Sequence, residues 1–352
     1  MATRRSFIAG MLAAGIVPKP TWADAGSPDF LSAAMKPDGS YVLCGLSNKG
    51  AIVFAVPLPD RGHAAAAHPS RPEAVAFARR PGSYAIVLDC RTGQSLTRLE
   101  ALPGRHFYGH GTFSADGDLL FTTENDYDVA AGIVGIWDTR TGYSRIGEVS
   151  SGGIGPHDVR LMPDGKTLVV ANGGIETHPD SGRTKLNLPT MRSNLSYLTL
   201  DGAIVDHMHL GPEHQRNSIR HLAVSGSGDV AFAMQWQGDM SADLPLLGVH
   251  RLDRGQIELC QGTSIGTLQG YIGSIAINDT HNTIAVTSPR AGLMQVVEEG
   301  AVIWQMSIAD VCGVVTEGTG FLVTAGTGRI QMSAEAYFDY QLSWDNHIIR
   351  VN

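Results

Sequence analysis

The sequence predicts an all-β fold: a seven-bladed propeller of four-stranded blades, its ring closed by the C-terminal strand joining the N-terminal blade. Three observations predict it. A unit of about 45 residues recurs along the chain, and short β-rich runs bounded by Gly turns recur within each unit. The composition, 42 Gly with only 17% charged residues, suits tight-turned sheets better than helical bundles or disorder.

The repeat is visible in Phe30-LSAAMKPDGSYVLCG and Glu73-AVAFARRPGSYAIVL, which share a strand, a Pro-Gly turn, Ser-Tyr and a second strand. They run on to PLPDRGH (57–63) and ALPGRH (101–106), and LDCRTG (88–93) matches WDTRTG (137–142). Turns recur as SADGD (114–118), MPDGK (162–166), SGSGD (225–229) and TEGTG (316–320), each ahead of a run such as LLFTT or TLVVA. Blades two to six are expected to begin near His63, His106, Gly155, Asn217 and Gln269, and blade seven near Asp310. The first unit, from Phe30, lacks an innermost strand, and Trp344-DNHIIRV has no partner. The second completes the first and removes the exposed sheet edges. The long stretch 173–194 inside the fourth unit reads as a lid, a ligand loop or a spacer over one face.

Ahead of the repeats, Thr3-Arg4-Arg5-Ser6-Phe7 begins an apolar run, Phe7 to Val17, too short to span a bilayer. Ala23-Asp24-Ala25 follows. This is the pattern of a twin-arginine signal peptide, residues 1–25, with cleavage expected after Ala25 and residues 26–352 exported folded to the periplasm as one domain, a monomer. The formal charge of −8, with no basic stripe, argues against a nucleic-acid partner. Cys44, Cys90, Cys260 and Cys312 lie far apart without a CxxC, so neither a zinc ribbon nor a covalent haem is supported. A Cys44–Cys90 disulfide is permitted in that compartment, with buried free thiols the favoured alternative.

Propeller topology gathers the polar residues. The start of each innermost strand and the end of each second strand meet at one mouth of the channel. That brings His106, His110, His157, Arg220, His221, Cys312 and Asp345-Asn346-His347 toward Glu124, Asn172, Gln235 and Arg290. Imidazoles joined by a carboxylate suit iron, copper or zinc. Arginines at the same mouth suit a carboxylate or phosphate, or a salt bridge to Glu124, Asp126 or Asp345. His207, His209 and His214 read as a surface cluster. No Gly-x-Ser-x-Gly elbow, HExxH helix, P-loop or strand-coupled dinucleotide fingerprint is expected. A histidine paired with Glu124 or Asp345 leaves a lyase or hydrolase open.

Together RHFYGHGTFSADG, FTTEND, GPHDVRLMPDG, ANGGIETHPDSGR, SIRHLAVS, TSPRAG and WDNHI resemble a family of twin-arginine-exported bacterial propellers of unknown function, encoded near imelysin-type iron-uptake proteins. The resemblance spans residues beyond the signal segment and implies a seven-bladed periplasmic propeller associated with iron acquisition. The stretch GHAAAAHP departs from it, with alanines where more glycine is expected. The resulting expectation is a non-enzymatic protein that binds a transition metal, iron favoured over copper or zinc, or an iron-bearing small ligand. His110, Glu124, His157, His221 and His347 are the expected metal ligands. His106, Asn172, His178, Arg220, Arg290 and Asn346 are the expected ligand contacts. The alternatives are a scaffold that docks an imelysin-like partner, or a hydrolase or lyase using the same mouth.

Overall fold

A computed structural model describes residues 19–351 apart from 80, 81, 83, 183, 253 and 334. The Arg4-Arg5 pair and the apolar run after it lie outside the described residues. Seven four-stranded antiparallel sheets follow one another along the chain, as the repeat predicts. The second strand of a blade is flanked on both sides and largely buried, wholly so in Thr167–Asn172; the outermost strand alternates, as in Ser144–Ser150. The Asp-Gly turns between first and second strands need a residue with positive φ, supplied by Gly117 (φ 76°) and Gly165 (φ 66°).

The innermost strands are Gly62–Ala67, Arg105–Phe113, Pro156–Leu161, Asn217–Val224, Ser274–Asn278, Val311–Glu317 and Ser343–Arg350. The last of these pairs antiparallel with Phe30–Met35, Phe30 opposite Arg350 and Leu31 opposite Ile349, and so completes blade one. Trp344 anchors the closure: it is buried, its Nε1 donates to the Gly328 carbonyl at 3.1 Å, and Tyr340 meets it edge-on at 6.0 Å. Hydrophobic contacts run between blades, the largest cluster extending from Met162 to Val302.

The expected cleavage motif Ala23-Asp24-Ala25 sits in a single 3₁₀ turn, Trp22–Ala25, packed on the ring. Trp22 and Ala25 are buried with Leu31, Leu43 and Ala74, and Trp22 Nε1 donates to the His68 carbonyl at 2.9 Å. All four cysteines are free and buried, and burial pushes the Cys44 and Cys90 thiols up to about 12. Cys312 packs its sulfur against the backbone of Thr324 and Asp345.

Ring closure should dominate stability. Trp344→Ala is expected to cost about 3–5 kcal/mol, the range for emptying a buried aromatic site. Urea unfolding checks this, and a loss below about 1 kcal/mol would show that the closing strand contributes little.

Candidate metal centre

Six of the seven innermost strands are interrupted at the same height. Their registers shift between Gly62 and Ala65, Phe107 and Gly111, Pro156 and Asp158, Ile219 and His221, and Val311 and Val314. Against the closing strand the shift falls between Ser32 and Ala34. Only Ser274–Asn278 keeps regular pairing with its neighbour. A β-bulge puts an extra residue on one strand and re-aims its side chain. At five of the six bulges that residue or its neighbour is histidine: His63, His110, His157, His221 and His347. At the sixth stands Cys312. Gly109 (φ 95°) is required beside His63, because a Cβ there would lie 2.5 Å from the ring.

The five rings form one layer across the axis. Centroids are separated by 4.6 Å for His63 and His347, 4.7 Å for His110 and His347, 4.7 Å for His157 and His221, and 4.9 Å for His110 and His157. Two groups of three, His63/His110/His347 and His110/His157/His221, bring one nitrogen from each ring within 4.8 Å of the others, and His110 belongs to both. Nε2 of His110, His157 and His347 and Nδ1 of His221 are buried without a hydrogen-bond partner.

Carboxylates stand behind the cage. Asp158 Oδ1 lies 3.4 Å from His110 Nδ1, and Asp345 Oδ1 lies 3.8 Å from His63 Nδ1. Asp158 also accepts from the backbone N–H of Val159 and of Leu222. Asp345 takes Arg61 Nε at 2.6 Å, with Arg79 Nη1 at 3.6 Å. Burial alone would raise both carboxyls. Arg160, His110 and His221 nevertheless hold Asp158 below the usual carboxylate range, and His63, Arg61 and Arg79 bring Asp345 down to about 2. Burial, reinforced by the other rings, moves His157, His221 and His347 well below the ordinary histidine value. It takes His63 down to about 4. Neutral imidazole is the form that ligates metals, and a carboxylate on the far nitrogen fixes its tautomer.

Above the layer opens a cavity of about 380 Å³, and His63, His157 and His221 reach its lining. A second cavity of about 870 Å³ occupies the opposite end of the channel, lined by the downstream halves of the same strands. The histidines lie between the two. The stretch 173–194 does cover the mouth: Ile175, Thr177, His178 and Lys185 line the cavity. Asn187 ties the loop to itself, accepting from the Glu176 N–H and donating to the Gly174 carbonyl.

Of the expected ligands, His110, His157, His221 and His347 come together. His106, His178, Arg220 and Asn346 line the cavity above them, His106 stacked on Tyr127 and His178 edge-on to the same ring. Three do not join. Glu124 is fully buried within its blade, held by Arg145 at 2.7 and 3.1 Å and by the Thr122 hydroxyl at 2.9 Å, so it is a charge partner away from the histidines. Asn172 is occupied by Ser151 and Ser196 inside blade four. Arg290 is exposed on the rim, its guanidinium 4.5 Å from the Tyr271 ring centre.

Sequence reasoning missed His63, Asp158 and Arg79 as site residues. The pair Gly62-His63 repeats Gly109-His110 and was the available signal; Asp158 directly follows His157. His207 and His209 are an exposed pair on an outer strand, as expected, whereas His214, expected on the surface with them, is buried. A Gly-x-Ser-x-Gly spacing does occur at 262–266, but Ser264 sits in a turn against Thr267 with no following helix, unlike a nucleophile elbow.

Fold and site define a seven-bladed propeller with a buried histidine cage on its axis. The chain belongs to the family described as "Protein of unknown function (DUF1513)", whose model matches residues 56–351. A search of curated proteins returned no match. Among solved structures it is similar to Kuenenia stuttgartiensis hydrazine synthase, with TM-score 0.63 and 12% identity over 85% of this chain and 93% of that one. It is also similar to a protein of unknown function from Bacteroides caccae, with TM-score 0.50 and 12% identity over 80% and 94%. At these identities the likeness is one of fold alone.

Histidines held neutral by burial make the protein acid-sensitive. A histidine whose folded value is depressed takes up its proton only in the unfolded chain between about pH 6.5 and the folded value, so stability is full above that window and falls through it. For His63, moved from 6.5 to about 4, the loss is about 3 kcal/mol at the acid end. The stability that Asp345 contributes, its folded value brought from 3.8 to about 2, is lost only as pH falls below about 3.8, outside this window. Thermal melts should therefore decline steadily from pH 7 to pH 4.5, with a shallower decline in His63→Gln. A flat profile would show that the cage is not held neutral.

Proposed function

We propose that the protein binds one transition-metal ion in the histidine cage, and does so in the periplasm as a non-enzymatic accessory to iron uptake alongside an imelysin-like partner. The observation that carries the reading is the set of four buried imidazole nitrogens with no hydrogen-bond partner, converging from four blades. Leaving a buried polar atom unsatisfied costs about 1–3 kcal/mol each. A metal ion would turn that cost into bonds, whereas a purely structural network would have paired the rings with one another or with backbone. His110, common to both triads, is the central ligand, Asp158 fixes its ring, and His63, His157, His221 and His347 complete the set.

An all-imidazole set suits iron, copper and zinc, and excludes calcium and magnesium, which take oxygen ligands. Iron is favoured by the family context implied by the sequence motifs.

Elemental analysis of protein purified from its own compartment tests the reading. Wild type should carry close to one equivalent of metal, and His110→Ala and His157→Ala/His221→Ala should carry little. His207→Ala/His209→Ala, on the surface, should match wild type. Equal metal in the cage variants and wild type would sink the assignment.

A further inference from the structure

The cavity above the cage has an electrostatic character opposite to that of the chain. The sequence holds 26 Lys and Arg against 34 Asp and Glu. Yet the described residues lining this cavity include Arg79, Lys185 and Arg220 and no carboxylate. Asp345, behind Arg79 at 3.6 Å, is buried and already shared with Arg61. Tyr108, Gln235, Tyr271 and Asn346 add neutral polar groups to the wall. Such a pocket attracts anions and repels a bare dication, which is at odds with a metal site directly beneath it.

Resting on the metal reading of the cage, we propose that the cavity binds a small, multiply charged oxyanion, and that this anion and the metal bind cooperatively through Arg220. The link is the contact of Arg220 Nη1 with His157 Nδ1 at 3.4 Å. Arginine only donates, so this contact requires the lone pair on Nδ1 and the proton on Nε2. Ligation through Nε2 requires the reverse: the ring proton sits on Nδ1, which then no longer accepts from the guanidinium. A guanidinium displaced from His157 can turn to an oxyanion in the cavity that Arg79 also lines, and planar forks of this kind suit a carboxylate, sulfate or phosphate. An anion that draws Arg220 away likewise leaves His157 ready to ligate. Both events favour one arrangement, and by linkage each raises the affinity for the other by the same factor.

The test is the zinc affinity of the metal-free protein, measured by competition with a chromophoric chelator in chloride, sulfate and succinate at matched ionic strength. Sulfate or succinate should tighten zinc binding about fivefold or more over chloride, the lower end of common coupling. Whichever of the two acts identifies an inorganic or a carboxylate source for the anion. In Arg220→Gln, and separately in Arg79→Gln, the affinities in the three salts should converge; the second variant serves if the first does not fold by circular dichroism. Equal zinc affinity in all three salts for wild type overturns the anion proposal and leaves the metal reading standing. An increment that persists in folded variants also overturns it, because the anion then acts elsewhere. No zinc binding by wild type overturns both.

Discussion

The antiparallel pairing of Ser343–Arg350 with Phe30–Met35 is the contact on which the fold and the site both depend. It joins segments some 300 residues apart, and a loop of that length costs about 5 kcal/mol to close by chain statistics. Burial of Phe30 and Ile348 offsets this at about 1.5–3 kcal/mol each, and Trp344 adds a larger apolar surface. The same strand delivers His347 to the axis and Asp345 to His63. Closing the ring and completing the cage are therefore one event, and a chain that fails to close lacks a cage histidine, a carboxylate and the partner of two arginines together.

A closed ring leaves an axis to be filled, and the choice of filling is informative. Outside the cage two buried histidines, His68 and His250, are held by hydrogen bonds. His68 accepts the N–H groups of Ser70 and Arg71 on Nδ1 and meets the Gly117 carbonyl on Nε2; His250 Nδ1 is 2.6 Å from the Tyr197 hydroxyl. The cage rings are treated differently. Each of His110 and His63 faces a carboxylate with one nitrogen, while the inward nitrogens of the layer face one another. Five bulges were needed to bring them there, against one regular strand at Ser274 that carries no imidazole. Aliphatic side chains on regular strands would have filled the same space without desolvating any polar atom.

The period, the Asp-Gly turns and the orphan strands at the two ends made the blade order and the closure legible in the sequence, because each is a local signal with a geometric consequence. Topology also gave the height of each strand end along the channel, which is why His110, His157, His221 and His347 could be grouped. It did not give the direction in which a side chain leaves its strand. Glu124 and Asn172 lie on second strands at the right height, but their side chains turn along the blade toward Arg145 and Ser196. His63, read only as the start of blade two, is brought into the layer by a bulge of the kind that aims His110. A bulge is set by pairing between strands and leaves only a weak trace in either one.

The depth of the cage follows from which rings meet which cavity. His63, His157 and His221 border the upper cavity, whereas His110 and His347 border neither. From the upper cavity His157 and His221 are reached first, and His110 lies beneath them. His110 belongs to both triads and so joins the two halves of the layer. Asp158 is the fixed point of this layer: two backbone N–H groups and Arg160 hold it, and it in turn sets the ring that both triads share. The carboxylate stands behind the layer, 3.4 Å from His110 Nδ1, and so adds negative charge beneath a cationic vestibule without entering the space between the rings.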